Sequence, residues 1–215
     1  MERLKIGVLL SGGGTNLQAM LEEIDRGALD AEVVFIASNK KKVQGLTRGK
    51  KRGIPTGIFE RGDYPTKAKR DQDLLNALQS HGVDLVVLAG YLGQIPSFMI
   101  EAYPDKIINI HPSLLPSFGG KGYYGERVHQ GVYERGMKVT GATVHFVREE
   151  TDGGPIILQE TVVIDFDDGV SDIQKKVLRI EHNLLSKAIQ LIAEDRVKVL
   201  GNRVKIEEEM SLEKK

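Results

Sequence analysis

Cysteine and tryptophan are missing altogether, the net charge is zero, and no apolar run reaches the length of a bilayer. Without cysteine there is no disulfide, no thiolate nucleophile and no cysteine-ligated metal. Thirty lysines and arginines against thirty aspartates and glutamates leave no general electrostatic pull toward nucleic acid or an anionic membrane. Neither nucleic acid nor a membrane is therefore an expected partner. No basic and apolar leader stands ahead of the first strand-like run, so a cytoplasmic protein is the expectation. A chain of 215 residues can bury a substantial core within one domain, expected here over 1–206, with 207–215 a charged tail. Monomer and homodimer both remain open.

What the chain does have is the decapeptide Ile107-Ile-Asn-Ile-His-Pro-Ser-Leu-Leu-Pro116. Ile107, Ile108 and Ile110 suit a buried strand, and Pro112 ends it, because proline cannot donate to a sheet ladder and restricts the residue before it. Asn109 and His111 are two apart, so an extended backbone turns both to the same side, where one carbonyl oxygen could meet an amide and an imidazole. A second chemical stretch, Glu149-Glu-Thr-Asp-Gly-Gly-Pro155, reads as a turn before the strand 156–163; taken alone it is an ordinary hairpin turn.

Around these the chain alternates. Leu4 to Leu10 is a buried strand that runs into Ser11-Gly-Gly-Gly-Thr-Asn16 and a helix from Leu17. Such a loop can turn amides toward an anion at a helix N-terminus, or can be a tight turn with Thr15 or Asn16 capping the helix. It lacks the P-loop lysine and Gly-x-Gly-x-x-Gly spacing, so a single phosphate suits it better than a dinucleotide. Further strands are expected at 32–38, 54–59 (short or at an edge, given Pro55), 83–89 and 140–147, with helices at 66–80, 96–102 and 128–135. Ile173, Val177, Ile180, Leu184, Ala188 and Leu191 recur at three and four residue steps, which predicts a long closing helix, followed by a hairpin turning at Gly201-Asn202. The basic segment 39–52 reads mostly as a solvated face, His129 as surface or packing, His145 as a satisfied histidine inside the sheet, and 117–125 as a glycine-rich loop over the site. The fold class is α/β: a mostly parallel twisted sheet with helices on both faces, whose ligands sit beyond the strands' carboxyl ends.

The decapeptide and Asp152-Gly-Gly-Pro155 together closely resemble the folate-dependent formyltransferases, over about Lys5 to Leu200, and among these the branch acting on glycinamide ribonucleotide in purine synthesis. The resemblance implies a Rossmann-like formyltransferase fold, with nucleotide binding in the N-terminal half and folate binding and catalysis in the C-terminal half. It implies 10-formyltetrahydrofolate as co-substrate, no metal, and Asn109, His111 and Asp152 as catalytic residues. It places the acceptor's phosphate on Gly14, Thr15 and Asn16, and Glu181, early on the closing helix, against the glycinamide. The folate falls to Lys67, to backbone groups of Leu92, Gly93, Gln94 and Ile95, to Asn109, and to the turn Arg148, Glu149, Glu150, Thr151 and Asp152. His145 becomes a supporting position behind the site. Relatives carry a bulkier, often basic residue at Gly93 and proline near Gly119, and the sequence departs from both.

Formyl transfer needs attack on a carbonyl, an anionic tetrahedral oxygen and net movement of one proton. Asn109 and a protonated His111 could stabilise that oxygen, and Asp152 could keep His111 charged and accept the amine's proton. Other classes fit less well: Ser113 has no nucleophile elbow around it, and no histidine spacing marks a zinc site. A formyltetrahydrofolate deformylase shares the Asn-x-His core but carries a domain ahead of it, and methionyl-tRNA formyltransferase adds a basic domain after it. The deformylase and a non-catalytic phosphate-binding module stay as alternatives.

Overall fold

The computed structural model describes residues 2–208; Met1 and 209–215, the greater part of the expected tail, lie outside the described residues. Apolar runs form the strands β1 (Leu4–Leu10), β2 (Ala31–Ser38), β3 (Thr56–Ile58), β4 (Leu85–Leu88), β5 (Ile107–His111), β6 (Val139–Phe146) and β7 (Ile156–Val163). They make one sheet in the order β3-β2-β1-β4-β5-β6-β7. The first five run parallel, and β6 lies antiparallel to both its neighbours, β5 and β7. The pairing of β6 with β7 has a local cause. β6 and β7 are joined by the short turn 147–155, which can link only antiparallel neighbours, whereas parallel strands need a crossover. β3, with Pro55 ahead of it, is three residues long and lies at the sheet edge, as its sequence predicts.

Both faces are covered. α1 (Thr15–Asp25), α5 (Glu126–Glu134) and α6 (Val170–Ala193) pack Leu17, Met20, Val132, Leu184 and Ile189 onto one side, and α3 (Lys67–Ser80) and α4 (Ser97–Ala102) pack Leu74, Leu78 and Met99 onto the other. Each such side chain contributes about 1.5–3 kcal/mol through burial. α3 starts where Thr66 accepts the Lys69 amide at 3.1 Å. α2 (Gln44–Lys51) follows β2, and the hairpin β8 (Val197–Leu200) and β9 (Arg203–Ile206) closes over the first core. No described helix is long and apolar enough to cross a membrane.

The order places β1 between β2 and β4, so successive crossovers leave it in opposite directions. A crevice opens there, beyond the carboxyl ends of β1, β4 and β5. The glycine loop, Gly90 and Pro112 follow those three strands directly.

Candidate active site

Antiparallel pairing of β5 with β6 sets Asn109 opposite His145. Asn109 Nδ2 lies 3.1 Å from His145 Nε2, and His145 Nδ1 lies 2.9 Å from the Phe146 carbonyl oxygen. That carbonyl can only accept, so the proton is assigned to Nδ1, Nε2 is bare, and the Asn109 amide donates to it. His145 therefore aims Asn109, a closer involvement than a merely satisfied sheet histidine.

Asp152 stands in the β6–β7 turn with φ of 58°, a left-handed conformation that aspartate tolerates better than most side chains. The turn is tight enough that a Cβ on Gly154 would lie 1.8 Å from the Phe146 carbonyl oxygen, so only glycine lets the chain double back here. The carboxylate approaches His111 Nδ1 at 3.6 Å and His145 Nε2 at 3.7 Å, and accepts the Gly120 amide at 2.8 Å. Burial opposes its charge, yet its pKa lies below the ordinary value, with the Gly120 amide donating to the ionised carboxylate. His111 moves the opposite way from the sequence expectation. It is 4% exposed, and burial lowers its pKa by more than Asp152 and its backbone bond raise it. The expected imidazolium is corrected to a neutral ring at pH 7, because the sequence argument counted the carboxylate's charge and omitted desolvation. The His111 Nε2–H donates to the Phe118 carbonyl at 2.8 Å.

A cleft of about 680 Å³, within the range of small-molecule sites, opens above these groups. A smaller cavity of about 110 Å³ adjoins the cleft, where Gly93, Gln94 and Ile95 line it with Arg148, Glu149, Glu150 and Thr151, and Asn109 and Asp152 border both. Leu92 sits at the rim, 51% exposed, and its amide donates to Ser11 Oγ at 2.8 Å, which withdraws that donor from the cleft. Arg148 pairs with Asp105. Lys67 stands exposed in the first turn of α3, apart from the residues that line the cleft. At Gly93 a Cβ would lie 2.5–2.7 Å from Tyr91 ring atoms, so the missing side chain is matched by an aromatic ring occupying its place. A Cβ at Gly119 would press on Leu115 at 2.5 Å.

The glycine loop borders a second cavity, of about 320 Å³, which shares Gly90, Ile110, Pro112 and Gly125 with the cleft. Gly14 has φ of 69°, and its Cβ would lie 2.7 Å from the Gly45 Cα, so the loop's path depends on two glycines from different segments. No side chain caps α1 at Gly14, and the first-turn amides have no intrahelical partner, which suits an anion. Asn16 is not a cap: its Nδ2 donates to Glu181 Oε2 at 2.8 Å. Glu181 lies midway along α6 rather than near its start, is 8% exposed, and is pushed by burial to a pKa of about 7. Arg48, from the segment read as a solvated face, donates to the Gly13 carbonyl at 2.9 Å and to Gln18 at 3.0 Å, bracing the loop. His129, expected at the surface or in packing, is 3% exposed and lines this cavity. Among the described residues no group of three or more His, Cys, Asp or Glu could hold a metal ion.

A family profile described as formyl transferase matches residues 4–189. The chloroplastic phosphoribosylglycinamide formyltransferase of Arabidopsis thaliana is 40% identical over 197 residues, covering 91% of this chain and 68% of that protein. The phosphoribosylglycinamide formyltransferase of Haemophilus influenzae is 36% identical over 198 residues, covering 92% and 91%. This chain spans 63% of a second plant relative, from Vigna unguiculata, and 19% of the trifunctional purine biosynthetic protein adenosine-3 of Gallus gallus. Among solved structures, glycinamide ribonucleotide transformylase 1 from Symbiobacterium toebii has a TM-score of 0.90 at 40% identity, covering 96% of this chain and 95% of that one. A formyltetrahydrofolate deformylase from Pseudomonas syringae is more distant, with a TM-score of 0.87 at 27% identity, and this chain covers 66% of it. The matched span contains the glycine loop, Asn109, His111, Asp152 and Glu181, carried on a sheet that superposes nearly end to end, and the chain belongs to the formyl transferase family.

Proposed function

We propose that this protein transfers the formyl group of 10-formyltetrahydrofolate to the amine of glycinamide ribonucleotide, yielding formylglycinamide ribonucleotide and tetrahydrofolate in purine nucleotide synthesis. It acts as a cytoplasmic monomer or homodimer on small-molecule substrates. One observation carries the reading: Asn109, His111 and Asp152 converge where the glycine-loop cavity meets the cleft. A phosphorylated acceptor lying along the first cavity and a flat heteroaromatic ring in the second would bring amine and formyl together at that junction. The apolar Leu88, Ile95 and Val147 of the small cavity adjoining the cleft suit such a ring.

The reaction forms a bond from the amine nitrogen to the formyl carbon, breaks the bond from that carbon to the folate nitrogen, and moves one proton from amine to leaving nitrogen. Asn109 gives one amide hydrogen to His145 and keeps the other for the developing oxyanion. His111 contributes the second donor once the Phe118 carbonyl releases its Nε2. Negative charge arriving beside the neutral imidazole raises its proton affinity as the transition state forms. Asp152, held ionised, takes the amine proton directly or through a water.

The test is spectrophotometric. Tetrahydrofolate release from 10-formyltetrahydrofolate should require glycinamide ribonucleotide. Release without the nucleotide would favour the hydrolase, and no release under either condition would favour a binding module.

A further inference from the structure

His129 has no part in the mechanism above, yet its surroundings are not those of a packing residue. It lies on α5 one turn in from Gly125, and both residues wall the cavity that holds Gly14, Asn16 and Glu181. Its Nδ1 is buried without a hydrogen-bond partner. An apolar side chain would fill the same space and leave no polar atom unpaired. A bare ring nitrogen is cheaper to bury than an orphaned N–H, so the proton belongs on Nε2. Burial lowers the ring's pKa to about 4, with nearby His111 adding to the effect, so at pH 7 the group is a neutral donor. A second buried orphan, Asn16 Oδ1, belongs to a residue of the same cavity. Two residues lining one cavity, each with an unpaired buried polar atom, are what a site missing a polar ligand leaves behind.

We propose that His129 is a binding residue for the phosphorylated acceptor, its Nε2–H donating to an oxygen of the sugar phosphate held against the glycine loop. The proposal rests on the assignment of this cavity to glycinamide ribonucleotide. It also gives the 117–125 loop a second anchor. The start of that loop is already tied to the reacting groups, through Phe118 to His111 and Gly120 to Asp152. Its far end continues into the helix that bears His129. Acceptor bound at His129 would fix that far end, so occupancy of the nucleotide cavity and closure over the cleft become one event.

The variants His129→Phe, which keeps the ring shape without a donor, and His129→Gln, which returns an amide N–H near the Nε2 position, separate binding from packing. His129→Phe should raise the KM for glycinamide ribonucleotide about tenfold or more and leave that for 10-formyltetrahydrofolate near wild type, with His129→Gln recovering most of the loss. Calorimetric affinity for ribose 5-phosphate should fall in parallel, and inorganic phosphate, tested beside it, tells whether the phosphate or the sugar oxygen is the acceptor. Wild-type nucleotide KM in His129→Phe overturns the proposal. Should that variant not fold, the imidazole nitrogen resonances of the wild-type protein decide: a shift of the His129 Nε2 signal on adding ribose 5-phosphate supports it, and none overturns it. Wild-type protein that binds no ribose 5-phosphate would overturn the cavity assignment itself, a failure separate from that of His129 alone.

Discussion

Asp152 is held through its carboxylate, which accepts the Gly120 amide, with two imidazoles standing 3.6 and 3.7 Å away. Asp152→Asn keeps the shape, and its amide oxygen can still accept from Gly120, so the fold should survive while proton transfer suffers. The expected outcome is a kcat lower by about 10²–10⁴ with far smaller changes in either KM. Steady-state kinetics that put the loss in KM instead would remove Asp152 from the chemistry. Asn109 and His145 form a different kind of pair, one acting through the other. Asn109→Ala should cost about 10²–10³ in kcat, the usual price of an oxyanion donor. His145→Ala should cost part of that. In the Asn109→Ala background its further cost should shrink to whatever its contact with Asp152 contributes, a non-additivity that a double-mutant cycle measures.

The elements that carry these residues were the most legible part of the sequence. β4 is a continuous apolar run, β1 and β5 are apolar but for Lys5, Asn109 and His111, and α6 shows its period openly. Contacts between distant segments were not legible, because register and packing decide them. His145 meets Asn109 only through the β5–β6 register, and Arg48 reaches Gly13 only because α2 packs against the glycine loop. Some signals were present and passed over. Glu181 comes four residues after Val177 and three before Leu184, on the inward stripe of α6, and His129 precedes the buried Val132 by three. Helical period alone marked both as inward-facing. α6 also fixes Glu181 against α1, so loosening its core should unsettle the cavity. Leu185→Ala, at a fully buried position, should lower stability by about 2–5 kcal/mol in urea unfolding. The 117–125 loop has its own anchor, the Phe118 ring packed edge-on against Tyr123 at 5.6 Å. Phe118→Ala should speed proteolytic cleavage within that loop and raise nucleotide-independent loss of the formyl group, since water would enter the cleft. Unchanged proteolysis would mean that the backbone bonds to His111 and Asp152 hold the loop without the ring.

The glycine-loop cavity also sets how the whole molecule answers to pH, because its two buried titratable groups are perturbed in opposite senses. His129 drops from an ordinary 6.5 to about 4, so on acidification below 6.5 the unfolded chain takes a proton that the folded protein refuses. Its contribution is complete above 6.5 and is lost as pH falls toward 4. Glu181 rises from 4.5 to about 7, so the folded protein keeps a proton that the unfolded chain gives up. Its contribution is complete below 4.5 and is lost as pH rises toward 7. Each amounts to about 3 kcal/mol at most. Between pH 4.5 and 6.5 the two slopes oppose each other and largely cancel. His111 and His182, also lowered by burial, tip the balance toward a mild loss of stability in acid. Glu181→Gln retains a hydrogen-bond acceptor for Asn16 but removes the opposing slope. Urea midpoints for that variant should therefore fall steeply from pH 6.5 to 4.5, where the wild type declines only gently. Parallel curves for the two proteins would mean that Glu181 titrates as an exposed carboxylate, and the picture of Glu181 and His129 buried together at one cavity would have to be abandoned.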